Sequence, residues 1–255
     1  MFDEPFAHGR SLVHDLDPRM RLAMAGLFSL CVALLREPSA AAAALALAMA
    51  VLGLSRPPLR QLCKRVVLVN VFVLFLWLTV PLTMPGTPVL ALGPLTASHE
   101  GIALVWLATL KSNAILLTFL ALVATMDSPT MGHALERLGL PTKLVFLFLF
   151  TYRYLHVIAD EWQRLTTAAR LRGFSPRTGM HTYRTIGNML AMVLVNSFDR
   201  SSRVYQAMVL RGFQGRFVSV VRFKAKANDA LFAVLWLTAT AGLVFMDLFT
   251  ETSLV

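Results

Sequence analysis

Cysteine is nearly absent. Cys31 and Cys63 are the two in 255 residues, and both lie in or beside apolar segments. Two such thiols form no disulfide framework and read as small buried hydrophobes. No G-x-x-x-x-G-K-[ST] run occurs, so ATP chemistry of that kind is not written in this chain. The six histidines (His8, His14, His99, His133, His156, His181) show no H-x-x-x-H spacing and no nearby cysteine, which argues against a resident metal site. The carboxylates expected near one membrane face are Asp127, Glu136, Asp160, Glu161, Asp199 and Asp229; none is paired with a base in a catalytic pattern. The opening "MFDEPFAHGRSLVHDLD" is acidic and polar, without the positive-then-apolar order of a secretory leader, so internal spans are expected to drive insertion. There is no basic tail and no interleaving of aromatic and basic residues, which argues against nucleic acid as a partner.

What the chain does have is apolar residues. They make up 56% of it, against about 45–50% in ordinary soluble domains. The mean hydropathy is +0.64 and the formal net charge +10. Twelve methionines are scattered through the apolar segments and read as packing. Spanning a bilayer takes roughly 17–25 mostly apolar residues. Five segments are expected to do so: 21–36, 39–54, 66–82, 101–125 and 228–249. Pro38 suits a turn between the first two, which are expected to form a tight hairpin. The alanine run 40–44 permits close helix contact.

Basic residues alternate with these spans. Arg10, Arg19 and Arg21 precede the first span, and Arg56, Arg60, Lys64 and Arg65 fall between the second and third. The loop 83–100 has none, the stretch 127–227 has fifteen, and the C-terminal TETSLV has none. The positive-inside rule then predicts a cytoplasmic N-terminus and an external C-terminus. Lys111 falls near the middle of the fourth span. It either meets a polar group on a neighbouring helix or partner, with Asn113 as a candidate, or snorkels outward.

The stretch 127–227 is no simple loop. Ser128-Pro129 opens a short helix that Gly139 and Pro141 stop. A long amphipathic helix follows, apolar over Leu144–Phe150 and polar later; the alternative is a sixth span over 143–159. A second long helix runs from about Tyr183 to Arg211. The two end alike, "AARLRGF" at 168–174 and "AMVLRGF" at 207–213, and residues 160–174 match 199–213 at seven of fifteen positions. That is an internal repeat. Asp160, Arg164 and Ala168, like Asp199, Arg203 and Ala207, fall at i, i+4 and i+8 on one helical stripe, with the Asp–Arg step in the order that favours an ion pair. Gly173 and Gly212 are placed for left-handed caps. Arg172 and Arg211 would then project at the negative ends of two helix dipoles, and Arg suits a bidentate grip on carboxylates. One such helix end is ordinary capping chemistry; two suggest two equivalent receptors.

These residues resemble the transmembrane T component of energy-coupling-factor (ECF) transporters, and within it the cobalt-type CbiQ proteins. The likeness rests on the paired Ala-x-x-x-Arg-Gly ends (Ala168/Arg172/Gly173 and Ala207/Arg211/Gly212), on "LDPRMRL" at Leu16–Leu22 with Arg21 in place of the usual Lys, and on "LGLP" at 138–141. The resemblance implies an all-α membrane protein of about five transmembrane helices plus a cytoplasmic helical coupling domain with two long crossing amphipathic helices. Residues 1–126 would carry the first four spans, 127–227 the coupling domain and 228–255 the last span. The chain would sit in the inner membrane as a non-catalytic subunit of an ATP-driven importer. Two ABC-type ATPase subunits, which bind the ATP and Mg, would receive Ala168, Leu171, Arg172, Gly173 and Ala207, Leu210, Arg211, Gly212. Asp160, Arg164, Asp199 and Arg203 would support those faces. The apolar stretches 144–150 and 189–195 would scaffold a separate substrate-capture membrane subunit. Cobalt is the implied cargo, with nickel or a vitamin as alternatives. A self-sufficient carrier and a membrane-embedded enzyme are the competing classes. The first finds thin support in Lys111, Asn70 and Asn113, and the second none in the carboxylates.

Overall fold

The computed structural model describes residues 11, 13–55, 57–92, 95–213 and 227–253. Expectations placed on the acidic N-terminus, Arg10, Arg56 and the basic stretch 214–226 lie outside them. The order is α1 (Pro18–Leu34), α2 (Pro38–Ser55), α3 (Leu59–Thr83), β1 (Pro88–Leu92), β2 (Leu95–Ser98), α4 (His99–Leu122), α5 (Ser128–Arg137), α6 (Thr142–Leu171), α7 (Met180–Leu210) and α8 (Ala227–Ser253). The protein is helical, as expected, with one addition. β1 and β2 form a short antiparallel hairpin in the loop between α3 and α4. The contacts divide the chain into two compact units. One holds the described residues up to Ala134 together with α8, and the other holds 135–213.

In the first unit, local chemistry starts the helices. Pro18 stands in the first turn of α1, where its missing N–H costs nothing, and the Asp17 carboxylate caps the helix by accepting from the Arg19 N–H at 3.0 Å. Ser98 caps α4 by accepting from the Gly101 N–H at 3.2 Å. The expected tight α1–α2 hairpin is not formed. Pro38 does start α2, but the alanine face of α2 packs against α4. Ala40, Ala44 and Ala48 recur every fourth residue and meet a surface that includes Ala114 and Ala121, all five fully buried. Lipid tails are as apolar as leucine, so helices associate in a bilayer by close van der Waals packing, and small residues let the backbones approach. Phe28 and Trp236, with ring centroids 5.0 Å apart, fill the space between α1 and α8.

Polar side chains fix how these helices run. The Arg21 guanidinium, 2% exposed, donates from Nε to the Leu122 carbonyl at 3.0 Å and also bonds the Thr125 hydroxyl, so α1 caps the end of α4. The Lys111 ammonium of α4 donates to the Ala33 carbonyl at 3.1 Å in the last turn of α1. Each helix thus places a cation at the other's negative end, which requires them to be antiparallel. Of the two readings of Lys111, the polar group on a neighbouring helix is the right one, but that group is a carbonyl. Asn113 instead pairs reciprocally with Asn70 of α3, at 2.9 and 3.2 Å. The carboxylate of Asp229 accepts from the Asp17 N–H at 3.1 Å, and that of Asp247 accepts from the N–H groups of Arg36 and Glu37 at 2.9 and 2.8 Å. α8 therefore runs parallel to α1. As a result, α4 ends and α8 begins at the same end of this unit, beside Arg21 and Asp17.

Four expected spans coincide with helices long and apolar enough to cross a membrane: α2, α3, α4 and Asp229–Thr250 of α8. The remaining one, 21–36, is α1. Its 17 residues reach about 25 Å, at the lower limit of a span. α6 also meets the requirement by length and composition, although its mean hydropathy of 1.3 is the lowest of the five helices that do.

Candidate functional site

The second unit is built on α6 and α7. Aromatic residues one turn apart line the first half of α6: Phe146 to Phe150 at 4.3 Å and Phe150 to Tyr154 at 5.4 Å between centroids. Two contacts fix the pairing with α7. Phe146 meets Phe213, just past the end of α7, at 6.3 Å, and the Glu161 carboxylate accepts from the Asn196 amide at 2.9 Å. α6 and α7 are therefore antiparallel, and the two A-x-x-L-R-G-F segments sit at opposite ends of the pair. Arg172 lies eleven residues beyond Glu161 and Arg211 fifteen beyond Asn196, about 16 Å and about 22 Å along the helix axes.

The two ends are the same structure. At the first, the Gly173 N–H donates to the Arg170 carbonyl and the Phe174 N–H to the Ala169 carbonyl, both at 3.0 Å. At the second, Gly212 donates to Val209 at 2.9 Å and Phe213 to Met208 at 3.0 Å. This is the Schellman arrangement, with the glycine left-handed at φ +84° and +81°. The capping arginines match as well, at φ −87°, ψ 13° and φ −89°, ψ 11°. Capping thus accounts for three features of the repeat: the glycine turns the chain, the phenylalanine folds back half-buried, and the arginine backbone closes the last turn.

Capping does not account for the leucine or the arginine side chain. Leu171 is 84% exposed and Leu210 88%, whereas capping places the apolar contact on the residue after the glycine. The Arg172 and Arg211 side chains are exposed and make no hydrogen bond or ion pair among the described residues. Ala168 and Ala207, one turn back, are exposed too. Each end therefore presents a leucine, a cation and a flat alanine to whatever lies beyond.

The expected stripe is real on α6, where Asp160, Arg164, Ala168 and Leu171 line one shallow hollow with Gln163 and Thr167. The expected ion pair is not. Arg164 pairs with Glu161, three residues back, and Glu161 is held by Asn196 across the helix pair. Asp160 stays exposed. Asp199 and Arg203 are both exposed and form no ion pair among the described residues. A solvated i,i+4 pair gains only about 0.3–0.5 kcal/mol, too little to hold two mobile side chains together. The sequence reading missed the Glu161–Asn196 bond, because position 161 aligns with Arg200 and so falls outside the repeated residues. It also left Phe174 and Phe213 without a role. An apolar residue directly after a capping glycine was the available signal.

Comparison with known proteins agrees with this architecture. The family model for CbiQ, described as cobalt transport protein, matches residues 9–220. An energy-coupling factor transporter transmembrane protein EcfT of Leuconostoc gelidum subsp. gasicomitatum is 24% identical over 220 residues, covering 82% of each chain. A putative ABC transporter ATP-binding protein of Bifidobacterium longum is 28% identical over 180 residues, 66% of this chain but 23% of that longer protein. The cobalt transport protein CbiQ of Rhodobacter capsulatus is 29% identical over 94 residues, 37% of this chain and 38% of that one. With most of its length matched by that family model, the chain belongs to the CbiQ family and is a T component of the ECF transporter type.

Proposed function

We propose that this chain couples two ABC-type ATPase subunits to a substrate-capture membrane subunit and is itself non-catalytic. The observation that carries this reading is the pair of identically capped helix ends at opposite ends of α6 and α7, each with an exposed leucine and an arginine side chain that has no partner among the described residues. In this account each end docks in a groove on one ATPase. Arg172 and Arg211 grip acidic groups there, Leu171 and Leu210 bury in the groove, and Ala168 and Ala207 permit close approach. Asp160, Arg164, Asp199 and Arg203 flank those contacts. ATP and Mg are held by the ATPases, whose closure draws the ends together. The helices pass the motion to the capture subunit through the apolar stretches 144–150 and 189–195.

Parity supports a membrane arrangement. α4 ends and α8 begins at the same end of the helical unit, which supports an even number of bilayer crossings by the segment between them. α6 is apolar enough to cross, but α7 is not among the helices that are. Zero crossings is the arrangement consistent with both, and it puts the two capped ends on one side. Together with the basic residues of this segment, this supports an inner-membrane protein with residues 127–227 and the N-terminus in the cytoplasm and the C-terminus outside. The similarity to a protein named for ATP binding supports the ATPase partners. The similarity to proteins named for cobalt transport supports cobalt as the cargo ahead of nickel or a vitamin.

Purifying the chain from its host's membranes in mild detergent, with mass spectrometry of everything retained, tests the assignment. P-loop ATPases and one small apolar protein are expected, and the reconstituted complex should take up cobalt with ATP. A chain that emerges alone overturns the coupling role. ATP-driven uptake of nickel or a vitamin in place of cobalt overturns the cargo.

A further inference from the structure

α6 and α7 end alike but are not held alike. The repeat sets residues 160–174 against 199–213. Exchanging the two helices in that register would turn the Glu161–Asn196 bond into a contact between Arg200 and Val157. That contact cannot form the same bond, because a guanidinium carries no acceptor and valine no polar group. The bond is therefore one-sided, and it changes the charge on one of the two stripes that lead to the capped ends.

On α6 both oxygens of the Glu161 carboxylate are used. One accepts from the Asn196 amide at 2.9 Å and the other from the Arg164 guanidinium. The Glu161 side chain is 18% exposed, so Asn196 fixes the acid from across the helix pair and Arg164 is drawn back to it. Arg164 still lies on the docking side, where it lines the hollow that includes Ala168 and Leu171. On α7 the equivalent cation is Arg203. The residue three before it is Arg200 rather than an acid, and Asp199, four before it, does not pair with it. The Arg203 side chain is exposed and has no partner among the described residues. Each stripe thus carries a cation eight residues, about 12 Å, before its capping arginine, but only the one on α7 is free.

We propose, on the reading that these ends dock ATPases, that they are unequal anchors. On α7, Arg203 joins Arg211 in gripping carboxylates of the ATPase groove; on α6, Glu161 withholds Arg164 and leaves the grip to Arg172. The α7 end then holds its ATPase more tightly, and its hold falls more steeply with salt, since screening acts on each exposed charge pair. The Asn196 tether sets the difference. A fully solvated Glu–Arg pair at this spacing would be too weak to keep Arg164 from a partner's carboxylate.

The test is ATPase binding to the full-length chain with its capture subunit in nanodiscs, one end at a time. Arg211→Glu leaves the α6 end in use, and Arg172→Glu leaves the α7 end. At the α7 end, Arg203→Gln is expected to lower affinity about fivefold, the effect of one charge pair at a partly solvated interface. At the α6 end, Arg164→Gln is expected to change affinity by less than about twofold, and Glu161→Gln to raise it about fivefold by freeing Arg164. That gain is expected to vanish in the Glu161→Gln/Arg164→Gln double variant. Glutamine still offers Asn196 an acceptor, so the unfolding midpoint should stay in place. Three results overturn the proposal: Arg164→Gln costing as much as Arg203→Gln, Glu161→Gln weakening binding because the acid presents Arg164 to the partner, or a gain that persists without Arg164. Each of these leaves the docking reading standing. Full ATPase binding with both capping arginines reversed would sink the docking reading and this inference with it.

Discussion

Replacing Leu171 and Leu210 by Ala separates a docking surface from a structural one. Both side chains are more than four-fifths exposed, so truncating them removes almost no intramolecular contact. A leucine-to-alanine change at such a site is expected to shift folding stability by less than about 0.5 kcal/mol. If each leucine buries in a partner groove, truncation removes three carbon groups from an apolar interface, at about 0.8 kcal/mol each. That comes to roughly 2 kcal/mol per end, or about a thirtyfold loss of affinity. The assay has two readouts on one preparation: thermal unfolding by tryptophan fluorescence, and retention of ATPase subunits on the immobilised chain. The single variants are expected to weaken retention and the double variant to abolish it, all with unchanged unfolding. Lowered unfolding temperature with full ATPase retention would refute the reasoning, because the leucines would then be packing within this chain.

Three further outcomes follow from the structure. Asn70→Ala leaves the Asn113 amide short of its partner inside a span, and the double-mutant cycle across the pair should give a coupling of about 0.6–1.7 kcal/mol in detergent unfolding. Arg21→Met uncaps the end of α4 and leaves the buried Leu122 carbonyl with only the Thr125 hydroxyl at 3.5 Å, a loss of about 1–3 kcal/mol; Arg21→Lys should retain part of it, as read from the unfolding midpoint. At Gly173 an added Cβ would meet no atom within 4 Å, so Gly173→Ala carries only the left-handed backbone penalty of about 1–2 kcal/mol. Faster amide exchange confined to 168–174 is the expected signature.

Much of this architecture was legible in the sequence, for identifiable reasons. Long apolar runs and the alternation of basic residues mark the membrane helices, because the cost of charge in lipid is local and additive. The repeat marks the two capped ends, because a left-handed glycine is a local requirement. Relations between distant residues were not legible. The sequence placed α2 against α1 through Pro38, but the structure packs its alanine face on α4, since a turn brings two helices near without making them fit. Lys111 was ambiguous because its partner is a backbone carbonyl 78 residues away, which no side-chain pattern encodes. The Asp160–Arg164 pair was allowed by spacing and lost to Glu161, which is also held by α7. The hairpin β1–β2 lies in a segment read only for its lack of basic residues.

The central claim is that the two capped ends hold the ATPases. Its most direct test is the double charge reversal Arg172→Glu, Arg211→Glu in the full chain, expressed with its partners and purified from membranes. The account predicts loss of the ATPase subunits with the capture subunit retained and the unfolding midpoint unchanged, since neither side chain has a partner among the described residues. Normal ATPase retention and transport in that variant would contradict it.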